Sequence, residues 1–188
     1  MSKFAVMDIA LPLAGVMTLW LGFMSIGEKA GAINFLSRIV GPFFSKLFPE
    51  IPKNHPANGQ LLMNFSANML GLDNAATPLG LKAMQSLQDL NPTKEVASNA
   101  QIMFLALNTS GLTLIPIAIL AQRSILGAAN PTDVFVPLLI STYVSTLTAI
   151  LFVGIKQKLN LFNKTVLLWL GGITLAIALL IGYMSTLP

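Results

Sequence analysis

The chain has 188 residues, of which 54% are hydrophobic and only 10% are charged, and its mean hydropathy is +0.74. Soluble domains have about 45–50% apolar and about 25% charged residues, so this composition indicates an integral membrane protein. The absence of cysteine excludes disulfides and thiolate metal sites, and we attribute the net charge of +4 to lysines at a membrane surface rather than to nucleic-acid binding.

The N-terminal part of the chain predicts one spanning helix and one helix that lies on the membrane. We predict the first span over residues 5–26, with Asp8 close to the interface. Residues 31–48 alternate apolar and charged side chains at helical spacing. This pattern predicts an amphipathic helix in the interface plane, with its apolar face at the acyl boundary and a bend near Pro42.

The stretch NFSANMLGLDNAATPLG, which begins at residue 64, mixes amides and hydroxyls into an apolar run. A helix should stop at Gly71, which suits a left-handed position after a helix end. Thr77 and Pro78 predict the N-cap and first residue of a second helix. Because each arm is shorter than the about 30 Å of hydrocarbon, residues 57–90 predict a re-entrant hairpin. Its tip should line a polar site, since lipid cannot satisfy free backbone groups.

A second irregular segment follows. Asn91 and Pro92 predict a helix start, and residues 92–122 predict a span that is unwound between about Asn108 and Thr113, where the run NTSGLTLIP contains a glycine and a proline. The alternative is a kinked helix whose serine and threonine hydroxyls bond its own carbonyls. Interrupted helices near the membrane midplane are typical of transporter sites.

Two further spans complete the chain, one over residues 131–157, starting at Asn130 and Pro131, and one over residues 164–187. A belt of hydroxyls between residues 141 and 148 favours packing between helices, with a solute pathway as the weaker alternative. The lysines between the two spans mark the cytoplasmic side of a multi-pass plasma (inner) membrane protein. The N-terminus is then outside, and the hairpin enters from the cytoplasm.

The strings KLFPEIP, HPA, GLDNAATPLG and FLALNTSGLTLIP resemble the spore maturation protein A family, which carries the Gate or nucleoside recognition domain. The resemblance implies one half of an inverted-repeat fold like that of concentrative nucleoside transporters. It also implies a complementary half, which is either a spore maturation protein B-like subunit or a second copy of the chain.

The overall prediction is a single all-α membrane domain over residues 1–188 with about four spanning helices. Its predicted function is half of a secondary transporter for a small polar solute, nucleoside-like or other, coupled to Na⁺ or H⁺ and needing no cofactor or metal. The alternative is a non-transporting assembly or regulatory protein in envelope or spore maturation. An enzyme is not expected, because the sequence shows no nucleophile–base pair and no phosphate-binding loop.

The predicted solute-binding residues come from the hairpin tip and the unwound segment. They are Asn68, Asn74, Thr77, Asn108, Thr109, Ser110 and Thr113. Asp73 is predicted to couple the ion, because it is the one carboxylate in this set.

Overall fold

The computed structural model describes residues 31–184 and Thr186, together with the isolated positions Lys3, Val6, Met7, Leu11, Gly15, Thr18 and Ile26. The predicted first span, residues 5–26, therefore lies largely outside the described residues. The described part of the chain is all-helical, as predicted. Its helices are α1 (Ala32–Leu47), α2 (Pro56–Met69), α3 (Asp73–Leu90), α4 (Asn99–Ser110), α5 (Ile117–Ile125), α6 (Phe135–Lys156) and α7 (Lys164–Met184).

Helices α6 and α7 are the two described helices that are long and apolar enough to cross a membrane. They have 22 and 21 residues, with mean hydropathies of 2.0 and 2.3 over their most apolar windows. The rest of the chain covers little of them, since only 28% and 6% of these windows are buried. Apolar helices left uncovered in this way need lipid around them, which supports the assignment as a membrane protein.

Helix α1 forms over the residues predicted for the amphipathic helix and runs through Pro42. Its apolar face, however, is covered by protein. Phe43 and Leu47 are 3% and 1% exposed, and the Phe43 ring stacks on Trp169 of α7 with 5.6 Å between centroids. The prediction that this face lies at the acyl boundary is wrong for these residues, because α2 and α7 pack against it.

Helix α2 begins at an N-cap histidine, since His55 Nδ1 accepts a hydrogen bond from Ala57 N at 3.2 Å. The chain leaves α2 through Gly71, whose φ of 63° lies in the left-handed region predicted for it.

Helix α3 starts earlier than predicted. It begins at Asp73, and Pro78 lies inside it, so the assignment of Thr77 as N-cap is wrong. The first helical hydrogen bond, from Ala76 N to Leu72 O at 2.9 Å, already forms ahead of the proline. A proline near a helix start removes one donor but need not define the first residue.

Helix α4 starts later than predicted, so the assignment of Asn91 and Pro92 as its start is also wrong. Ser98 is the N-cap instead, and it forms a reciprocal capping box with Gln101. Asn91 is the C-cap of α3. The capping box satisfies two free N–H groups at once, and this explains why the helix begins there.

Helix α6 likewise begins after its predicted start at Asn130 and Pro131. The Asn130 side chain accepts a hydrogen bond from Thr132 N at 3.1 Å and so stabilises a turn. The helix then begins at Phe135.

The helices pack so that the turn between α2 and α3 lies against the non-helical segment between α4 and α5, which we call the interruption. Helices α2 and α3 lie against each other, α4 packs on α6, and α1 bridges α2 and α7. One core cluster joins α1, α2, α3 and α4 to single residues of α6 and α7. A smaller cluster, built from Leu112, Leu139, Tyr143 and Ile177, lies beneath the interruption.

Candidate binding groove

The interruption lies slightly later in the chain than predicted. Helix α4 continues through Asn108 to Ser110 and ends at Gly111, whose φ is 56°. The chain is non-helical until α5 begins at Ile117, with the buried Pro116 as its N-cap. That α4 and α5 form one spanning helix remains a prediction.

The interruption is joined to the end of α2 by backbone atoms. Leu114 N and Ile115 N both donate to Met69 O, at 2.8 and 3.0 Å. A Cβ on Gly71 would lie 2.8 Å from Ile115 O, so both this contact and the positive φ require glycine. The carbonyl at the α2 end is thus satisfied by another part of the chain, and the two irregular segments form one junction.

Three asparagine side chains link the same elements and form what we call the groove cluster: Asn64, Asn68 and Asn108. Asn68 Nδ2 donates to Asn108 Oδ1 at 3.0 Å and to Asn64 Oδ1 at 3.4 Å. Asn108 Nδ2 donates to Phe104 O at 2.9 Å, and Asn64 Nδ2 donates to Ala76 O at 2.8 Å. Two residues 40 positions apart therefore meet through their amides, as the pairing of tip and unwound segment predicted.

The groove cluster forms part of the wall of a groove of about 390 Å³. The lining residues are Asn64, Asn68, Ala76, Thr77, Gly80, Leu81, Met84, Phe104, Leu105 and Asn108. None of them is charged. Apolar side chains supply the remaining wall, an arrangement that is common in small-molecule sites.

The hydrogen bonds of the groove cluster determine what it can offer a solute. Both Nδ2 hydrogens of Asn68 are used, which leaves its Oδ1 as an acceptor. Asn108 uses one Nδ2 hydrogen in its own helix and keeps the other. The groove can therefore present an acceptor and a donor side by side to an uncharged polar group.

Not all the predicted site residues meet here. Asn68, Thr77 and Asn108 line the groove. Thr109 does not line it: its side chain is exposed, and its hydroxyl donates to Leu105 O at 2.8 Å. Asp73 contributes the first backbone residue of α3, but its side chain lies outside the description, and the same holds for Asn74.

The other two predicted site residues face α6. Thr113 N donates to Thr142 Oγ1 at 3.3 Å, and Ser110 Oγ lies 3.1 Å from Thr146 Oγ1. The hydroxyl belt of α6 thus contacts the interruption, as the packing interpretation predicts. By contrast, the exposed Thr148 hydroxyl bonds the carbonyl of Val144 in its own helix.

Sequence reasoning missed the role of one residue in the groove. Asn64 is only 2% exposed, and its amide bridges α2 to the backbone of α3. The signal was present in the sequence, because Asn64 and Asn68 are four residues apart and so share a helix face.

It also missed a second amide group, which we call the connector cluster: Gln88, Asn91 and Gln101. Asn91 Nδ2 donates to Gln101 Oε1 at 3.1 Å, and Gln101 Nε2 donates to Gln88 Oε1 at 2.8 Å. A cavity of about 490 Å³ lies beside this cluster. Gln88 and Asn91 are three residues apart at the end of α3, but no regular spacing pairs them with Gln101, because a non-helical connector lies between.

A profile of the Gate family, described as nucleoside recognition, matches residues 10–125. The chain belongs to the Gate family. Spore maturation protein A of Bacillus subtilis (strain 168) is 46% identical over 143 residues, which cover 76% of this chain and 73% of that protein. The resemblance to the spore maturation protein A family is thereby confirmed. No solved structure matched the chain. Neither the description of the Gate family nor the name of the Bacillus subtilis protein denotes a catalytic activity.

Proposed function

We propose that this chain is half of a secondary transporter that moves a small, uncharged polar solute across the plasma (inner) membrane, coupled to Na⁺ or H⁺. The observation that carries the proposal is the hydrogen bond between Asn68 and Asn108, which joins the last turns of α2 and α4, next to the two irregular segments, at the wall of an open groove. Polar groups beside interrupted helices are the usual construction of such sites. The description of the Gate family as nucleoside recognition agrees with a solute that carries adjacent donors and acceptors.

The same groove supports a requirement for a second polypeptide. Leu81 and Leu105 line it and are 68% and 60% exposed, so it opens at the surface between apolar side chains. Amides in such an opening cannot face acyl chains without a large cost. We therefore propose that a spore maturation protein B-like subunit, or a second copy of this chain, covers the groove in the membrane.

Ion coupling is assigned to Asp73 within this proposal. A carboxylate at the first residue of α3 lies where the helix dipole favours negative charge, close in sequence to the groove residues Ala76 and Thr77. We expect Asp73→Asn to abolish ion-coupled uptake while the protein still assembles. Uptake with an unchanged ion dependence would refute this assignment.

The test of the groove is solute binding to the full chain co-purified with its membrane partner, with uridine as the first probe and other neutral polar solutes after it. Asn108→Ala should weaken binding at least about tenfold, because about 1.4 kcal/mol, the value of one good hydrogen bond, corresponds to that factor. Thr109→Ala is the matched control. It changes the next residue of the same helix, whose exposed hydroxyl bonds its own helix outside the groove.

Two results would contradict the groove assignment. One is equal binding by the Asn108 and Thr109 variants, which would place the solute elsewhere. The other is the absence of binding by any neutral solute to a well-folded complex, which would favour the alternative function.

That alternative is a non-transporting protein of envelope or spore maturation, and one observation favours it. The hydroxyls of Ser110, Thr113 and Thr146 and the amide of Asn64 all have hydrogen-bond partners within the chain, which suits a packed assembly. The name of the similar Bacillus subtilis protein agrees with this reading. Asn108→Ala would then leave maturation unchanged, whereas substitutions that weaken helix packing would impair it.

A further inference from the structure

The loop between α6 and α7, residues 157–163, joins the two described helices that can cross the membrane. Because it is short, it must lie close to the membrane surface wherever those helices emerge. This position of the loop does not depend on the groove or on the proposed function.

The loop has a defined conformation, in which Leu161 packs against the chain and Phe162 points away from it. Lys158 adopts a φ of 56°, and Leu159 N donates back to Gly154 O at 2.8 Å, which closes the end of α6. Leu161 then covers Gly154, where an added Cβ would lie 2.9 Å from the leucine methyl carbons. The next residue, Phe162, points outward and is 86% exposed, the highest value among the large hydrophobic side chains described.

The charged residues of the loop and of the helix ends beside it are all positive. Lys156, Lys158 and Lys164 are exposed, and no acidic residue follows Asp133 in the sequence. From elsewhere in the chain, the acidic Glu50 lines a small cavity with Gln157 and Leu159 at the start of the loop, where its side chain accepts a hydrogen bond from Asn99. The segment between α5 and α6, at the other end of α6, differs, because its Asp133 is paired at 2.7 Å with Arg123 from the last turn of α5. That pair is the only ion pair found within the described residues.

We propose that the α6–α7 loop is an anionic-lipid contact, with Phe162 inserted at the acyl boundary and the three lysines on phosphate headgroups. An exposed aromatic ring beside unpaired lysines suits the interface of an anionic leaflet, where each lysine adds attraction. The segment between α5 and α6 should have no such preference for anionic lipid, because the charge of Arg123 is already neutralised by its ion pair.

The chain contains no cysteine, so one introduced thiol reports on one position. Asn160→Cys places a fluorophore on an exposed loop residue and leaves Phe162 and the lysines in place. The full-length protein is reconstituted with brominated phosphatidylglycerol or brominated phosphatidylcholine at equal mole fractions, and quenching is compared. Leu126→Cys, at a position 81% exposed in the segment between α5 and α6, is the control label.

At low salt we expect phosphatidylglycerol to quench the loop label about fivefold more than phosphatidylcholine, the preference that one lysine supplies at an anionic surface. The preference should disappear when the three lysines are changed to glutamine, and it should fall in about 1 M salt because of screening. Phe162→Ser should reduce quenching by both lipids. The label at Leu126→Cys should show no preference.

Three outcomes would overturn the proposal. The first is equal quenching by the two lipids, and the second is a preference that survives the lysine substitutions. The third is a loop label that neither lipid quenches, which would place the loop in water or beneath a protein partner. If labelled Asn160→Cys does not fold, Ile155→Cys, at a position 68% exposed next to Lys156, gives the same comparison and leaves Phe162 and the three lysines in place.

Discussion

The groove cluster and the connector cluster are both built from three amides, but they lie at opposite ends of the α3–α4 pair and differ in how completely they are bonded. In the connector cluster, Asn91 Nδ2 donates to Val96 O and Gln101 Oε1, and Asn91 Oδ1 accepts a hydrogen bond from Thr93 N at 3.1 Å. In the groove cluster, Asn68 keeps an unused acceptor beside an open groove. Satisfied amides hold structure together, and incompletely satisfied ones are available to a ligand.

The larger cavity lies beside the connector cluster, about 490 Å³ against about 390 Å³ at the groove. Size alone would therefore select the connector cluster, and not the groove cluster at which we propose solute binding. The bonding of each cluster is a better guide, and stability measurements on matched variants can test this.

The largest effect is expected in the connector cluster. Asn91→Ala removes four side-chain hydrogen bonds from a residue that is 4% exposed and should lower the free energy of unfolding by about 3 kcal/mol. Denaturant unfolding of the purified protein measures this. Asn99→Ala is the control, since its exposed side chain makes one bond, to Glu50 at 2.7 Å, and should cost less than about 1 kcal/mol. Similar losses for the two variants would show that the connector cluster is not structural.

A somewhat smaller effect is expected at the backbone junction beside the groove. Gly71→Ala should cost about 2 kcal/mol, because a left-handed φ is strained and the new methyl would meet Ile115 O. Gly127→Ala separates the effect of the left-handed φ from the effect of the close contact. Gly127 has a φ of 73° but nothing within 4 Å of an added Cβ, so only about 1 kcal/mol should be lost there. Equal melting temperatures for the two variants would argue against the close contact.

The groove cluster itself should contribute little to stability. We expect Asn68→Ala to cost only about 1 kcal/mol, because the side chain is half-buried and water can replace it at Asn108 Oδ1. Chemical denaturation tests this, alongside the loss of uridine binding by the same variant. A loss as large as that of Asn91→Ala would make the two clusters alike and remove the distinction drawn between them.

The smallest effect is expected where α6 meets the interruption. Thr146→Val removes the hydroxyl beside Ser110 and should cost about 0.6 kcal/mol, which is typical of hydrogen bonds between membrane helices. Thr148→Val changes an exposed threonine two residues further along the same helix, on a different face, and should change the melting temperature by less. The reverse order would place the contact of α6 with α4 elsewhere on the helix.

Much of this arrangement could be predicted from local sequence. The all-helical class, the break at Gly71 and the meeting of Asn68 with Asn108 all followed from apolar runs broken by glycine, proline and amides. These signals act within a few residues, and a polar group in an apolar segment has few places to find a partner.

The errors have a common physical origin. Three X-Pro pairs, at Pro78, Pro92 and Pro131, were expected to begin helices, yet α3 begins before Pro78 and α4 begins well after Pro92. A local preference of this kind competes with all other caps nearby, and the capping box at Ser98 satisfies more donors. The covered face of α1 was missed for another reason, since apolar periodicity shows that a face is buried but not whether lipid or protein buries it.

The junction between Met69 O and the N–H groups of Leu114 and Ile115 uses no side-chain atom. The side chains at positions 114 and 115 can therefore be exchanged without loss of the junction, whereas proline at either position would remove a donor. Groove-lining residues such as Leu81 and Leu105 are also absent from it. The residues that line the groove can thus vary among relatives while the backbone junction stays the same.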